Sequence, residues 1–65
     1  MDKKQLEYKV STPAAGGAYI AHIGSVEGAR RKAVRHARES LPDAKGATIV
    51  IRDALTRRVV EEIVL

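Results

Sequence analysis

Apolar residues follow two different periods along this chain. Between residues 25 and 41 they recur every three or four positions, so Val26, Ala29, Ala33, Ala37 and Leu41 share one helical face. Elsewhere they alternate. Residues 5–10 place Leu6, Tyr8 and Val10 on one side of a strand and Gln5, Glu7 and Lys9 on the other. Residues 18–23 are apolar apart from His22 and predict a second strand, hairpinned to the first across a turn rich in proline and paired glycine. Residues 47–52 set Ala47, Ile49 and Ile51 against Thr48, Val50 and Arg52. Residues 57–65 predict a fourth strand after a hairpin loop at 53–56. The pattern predicts an α+β fold: a single four-stranded sheet in β-β-α-β-β order, with one amphipathic helix packed on one face. The expected core is Leu6, Tyr8, Val10, Ile20, Val26, Ala29, Ala33, Ala37, Leu41, Ile49 and Ile51.

The helix carries its own boundary signals. Ser25 suits the N-cap, because its hydroxyl accepts from free N–H groups of the first turn. Glu27 lies where the helix dipole favours negative charge and stands four residues before Arg31, the favourable order for an ion pair. Gly28 is the weak position, unless it admits a close neighbour. Pro42 disfavours helical backbone at Leu41 and closes the segment.

The fourth strand does not sort its residues cleanly. Val59, Glu61, Ile63 and Leu65 alternate with Arg58, Val60, Glu62 and Val64, so each face holds a glutamate among aliphatics. Such a strand needs a bulge that switches the alternation, or partial cover on both faces. One helix covers only one face. Either Val50, Val60 and Val64 or their odd-numbered neighbours are therefore left uncovered, and Val50, Val60 and Val64 are the candidate interface residues for a second copy of the chain.

Length sharpens that point. The 65 residues make one domain, with residues 1–4 expected to fray. A chain this short buries only about 60% of its extended surface. Without cysteine no disulfide assists, which leaves oligomerisation as the remaining source of stability. No signal-like N-terminus or membrane-length apolar run is read here, so no membrane association is expected and the cytoplasm is the expected compartment.

Candidate chemistry is sparse. His22 and His36 are the only histidines, and no sequence cluster of cysteine or carboxylate joins them as metal ligands. Ser11, Ser25 and Ser40 have turn or cap explanations. Glu61 and Glu62 are adjacent, so on a strand they face opposite sides and do not form an acid–base pair. Residues 24–28 precede a helix as phosphate loops do, but lack the Gly-Lys-Ser/Thr ending and carry a glutamate in the first turn. Neither an enzyme nor a cofactor is expected.

The closing features also carry a resemblance. Gly16-Gly17 before the second strand, the Ala-Val-Arg-His-Ala-Arg rhythm of residues 33–38, and the Ile51-Arg52-Asp53 and Arg57-Arg58-Val59 flanks of the last hairpin follow one another along the chain. On these residues the chain resembles a family of short bacterial β-β-α-β-β domains of unknown function. The run Gly-Gly-Ala-Tyr-Ile-Ala-His-Ile is similar, more distantly, to the front of antitoxins that neutralise RNA-cleaving toxins. The resemblance implies a fold and no activity.

Charge supplies the remaining candidate. The formal net charge is +4, and Arg30, Arg31, Lys32, Arg35 and Arg38 form a cationic run uninterrupted by acid. Arg57 and Arg58 add to the positive field. Such a stripe suits a phosphate backbone, although only Tyr8 and Tyr19 are available as aromatic stacking surfaces. The sequence therefore predicts a small non-enzymatic binding or self-associating module, a homodimer or a partner of another protein. The alternative is a non-specific nucleic-acid-binding protein that uses the basic helix face.

Overall fold

The computed structural model describes residues 4–12, 16–40 and 46–65. Its elements are β1 (Lys4–Ser11), β2 (Ile20–Gly24), α1 (Val26–Ser40), β3 (Thr48–Asp53) and β4 (Val59–Val64). The α+β reading and the β-β-α-β-β order hold. The strands form one sheet in the order β2-β1-β3-β4, and every neighbouring pair is antiparallel. Both β2 and β3 flank β1, so they run parallel to each other. The connection through α1 consequently crosses over β1, and the helix packs chiefly on β1 and then β3.

Register decides which side chains meet the helix. Leu6 lies between His22 and Asp53, and Tyr8 between Ile20 and Ile51. Val10 stands opposite Ile49, which stands opposite Ile63. Against this layer the helix sets Ala29, Ala33 and Ala37, all fully buried with Leu6, Tyr8, Ala47, Ile49 and Ile51. An alanine stripe lets the helix approach the sheet closely, and the larger strand residues supply the apolar volume. Val10, Val26, Val34, Ile63 and Leu65 pack around the rim of this core.

Ser25 caps the helix as expected. Its hydroxyl accepts from Gly28 N–H at 3.0 Å, and its carbonyl accepts from Ala29 N–H at 3.0 Å. Gly28 faces His22: a Cβ there would stand 3.3 Å from Nε2 of the imidazole. The close neighbour that this glycine admits is thus a side chain of β2.

Two details differ from the sequence reading, and a choice it left open is decided. Ile20, expected in the core, is 39% exposed, because β2 is an edge strand and the helix lies over the sheet centre. Lys4, expected to fray, pairs with Gly24 at the start of β1; residues 1–3 lie outside the described residues, as does Leu41. The fourth strand resolves through a bulge. Ile51 pairs with Glu61 while Arg52 pairs with Val59, which leaves Val60 as the extra residue. The bulge moves Val59 to the face of Arg52 and Glu62, and leaves Glu61 and Ile63 toward the helix.

Candidate functional site

Two surfaces hold the sequence-predicted residues, one on each side of the sheet. The outer face of α1 carries Arg30, Arg31, Lys32, Arg35 and Arg38, all exposed. Acids absent from the run in sequence reach it in space. Arg31 pairs with Glu27 at 2.7 Å and Arg35 with Glu39 at 3.0 Å, each one turn along the helix. Arg30 reaches Glu61 of β4 at 3.1 Å. Among the described residues Lys32 and Arg38 have no acidic partner. Arg30, Arg31, Val34, Arg35, Arg38 and Glu39 line an open groove of about 490 Å³ along this face. Arg57 and Arg58 lie in the last hairpin, at the end of the sheet where β1 begins.

That hairpin is built by Asp53. Its carboxylate accepts from the backbone N–H of Leu55 at 2.8 Å and of Thr56 at 2.9 Å. These bonds, Thr56 first and then Leu55, hold the carboxyl below its ordinary value near 3.8. The loop closes by Arg57 N–H donating to the Asp53 carbonyl and Asp53 N–H donating to the Arg58 carbonyl. Arg57 takes a φ of 66°, the left-handed conformation that turns usually give to glycine or asparagine.

The second surface is the sheet face without a helix. Val50 is half-buried there, and Val59, Val60 and Val64 on β4 are 59%, 49% and 69% exposed. Glu62 stands opposite Val50 on the same face. Toward β1 and β2 the face changes character. Glu7 and Arg52 are cross-strand partners joined by an ion pair, and their side chains are only 17% and 19% exposed. Their cover is Tyr19, whose ring lies 3.5 Å from the Arg52 guanidinium and 5.1 Å from Lys9 Nζ. Tyr19 reaches this position through Gly17. A Cβ on Gly17 would stand 2.0 Å from the Val10 carbonyl oxygen, so the chain there admits no side chain.

The valines and the arginines are therefore brought into separate patches, and each patch stands clear of the other. Sequence reasoning missed the Glu7–Arg52–Tyr19 stack and the reach of Glu61 to Arg30. Alternation had placed Glu7 and Arg52 on polar faces, but only strand order makes them neighbours. The histidines are also apart in role. His22 rests in the notch between Gly24 and Gly28, while His36 meets the Tyr8 ring edge-on at 6.5 Å. Among the described residues, no group of three histidine, cysteine or carboxylate side chains is placed to hold a metal ion. No helix of the described residues is long and apolar enough to cross a membrane. No known family model, curated protein or solved structure matches this chain.

Proposed function

We propose that this chain is a self-associating module that pairs with a second copy through the β4 half of its open sheet face. The observation that carries this reading is the exposure of Val59, Val60 and Val64 beside Val50, on a face that the helix does not reach. Exposed aliphatic side chains gathered on one face mark contact surfaces, and a two-fold mate buries the same residues on both partners. Face packing is favoured over pairing along the β4 edge. The bulge at Val60 and the adjacent Glu61 and Glu62 are features that discourage a further strand. Glu61 is engaged with Arg30 on the helix side, so Glu62, opposite Val50, is the β4 carboxylate that shares the face of the patch.

Sedimentation across a concentration range tests the reading. The unmutated chain is expected to pass from monomer to dimer, with a melting temperature that rises with concentration. Val60→Glu and Val64→Glu are expected to remove both behaviours while leaving the circular dichroism spectrum intact. A concentration-independent monomer would overturn the proposal. Loss of the dimer on Ile23→Lys alone, with both valine variants still dimeric, would move the interface to β2.

A further inference from the structure

We infer that the groove on the outer face of α1 is a docking surface for the phosphate backbone of duplex DNA, read without regard to sequence. The valine patch lies on the other side of the sheet, so this inference stands independently of self-association. Four arginines, Arg30, Arg31, Arg35 and Arg38, surround Val34 in the groove, and Lys32 extends the field on its flank.

Three features select this ligand. The first is linear extent. Arg31, Arg35 and Arg38 succeed one another over seven residues, about 10 Å of helix at 1.5 Å per residue. Cations strung out in this way suit a chain of phosphates better than one compact anion. Glu27 in the first turn also weighs against a single phosphate at the helix N-terminus. The second feature is the kind of cation. Guanidinium groups offer paired donors that match phosphate oxygens, and four of the five groups are arginine. The third is the scarcity of stacking surface. The groove itself is lined by Val34 and charged side chains, and of the two rings in the adjoining hollow beside Lys32 and Arg35, Tyr8 is buried and His36 alone is exposed, which makes a poor platform for unpaired bases. A duplex keeps its bases stacked and presents its charge outward.

The acids on this face do not close it. Arg31 and Glu27 are 78% and 63% exposed, and Arg35 and Glu39 are 80% and 66% exposed. Ion pairs in such solvated positions hold weakly, so phosphate oxygens can take the place of the carboxylates. Arg38 and Lys32 need no exchange at all, having no acidic partner among the described residues.

The test uses the full chain, a short labelled DNA duplex, a single strand of the same length and an acidic polypeptide, polyglutamate. Fluorescence anisotropy is read at 50 and 200 mM salt. Duplex binding is expected at the lower salt. With three phosphates engaged, affinity should fall by about 40-fold between the two conditions. Arg38→Glu combined with Lys32→Glu is expected to abolish binding. Both positions are exposed and have no acidic partner among the described residues, so circular dichroism should show the fold retained. Several results would overturn the inference: no duplex binding at 50 mM salt, binding that survives the double charge reversal, or tighter binding of the single strand or of polyglutamate than of the duplex.

Discussion

Individual residues decide several of the turns. Gly17 is the sharpest case, because the Val10 carbonyl occupies the space where its Cβ would stand. Gly17→Ala must displace backbone, and overpacking of that kind costs about 1–3 kcal/mol. Urea unfolding is expected to show a loss in this range, together with loss of the Tyr19 cover over Arg52. Asp53 offers a test in pH. Its carboxyl is held below its ordinary value in the folded chain, so its contribution is fully present above pH 4. That contribution is lost as pH falls through the folded value. Stability of the unmutated chain should therefore decline in acid more steeply than that of Asp53→Asn, as read from melting temperatures between pH 5 and 2.

At the scale of elements, the helix is specified more fully than any strand. Its cap, its Glu27–Arg31 pair and its alanine stripe are all local features, and each is formed. Gly28 is the exception that needs a partner from elsewhere. Mid-helix glycine costs about 0.5–1 kcal/mol relative to alanine. Here the His22 imidazole fills the space above it, at a distance that an added Cβ would crowd. Gly28→Ala is thus expected to give less than its full helical gain in the unmutated chain. In a His22→Ala background the same change should be more favourable than in the unmutated chain, up to a ceiling of about 0.5–1 kcal/mol, because Ser25 Oγ still stands 3.3 Å from the added Cβ. A double-mutant cycle in urea measures the difference, and additive effects would show that His22 does not crowd the site. The β4 bulge is a second feature of this scale. It reconciles a strand with mixed faces by giving Val60 no partner, and so changes the face that Val59 shares.

For the whole molecule, the balance of area governs. One helix lies over β1 and β3, and its alanines bring it close at the cost of reach. The outer strands are left less covered, which is why Ile20 remains exposed on the helix side, while Ile23, Val59, Val60 and Val64 are exposed because their face carries no helix. The fold answers this deficit in two ways. On the β1 side Tyr19 folds across the Glu7–Arg52 pair, a cover made by a ring in place of a second layer. On the β4 side the described residues supply no such cover. The proposed dimer belongs to that half alone, and the cationic groove to the far side of the sheet. A dimer formed through the open faces would carry its two helices outward, each with its groove accessible.

Local physics made the element order, the helix boundaries and the main core residues legible in the sequence. Periods of 2 and 3.6, a serine cap and a proline stop act over a few residues, and the chain expresses them without reference to its fold. Leu6, Tyr8, Ala29, Ala33, Ala37, Ile49 and Ile51 follow from those periods and are buried. The tertiary structure decided what depends on partners distant in sequence. Strand order placed β1 and β3 at the centre, which exposed Ile20 and made Glu7 and Arg52 neighbours. The bulge fixed the faces of β4 through its register with β3. The cationic run, free of acids along the chain, acquired Glu61 only because the Arg30 side chain reaches from the helix to the outer strand β4. Pairing across 31 or 45 residues is set by sheet topology and side-chain reach, and no local periodicity encodes it.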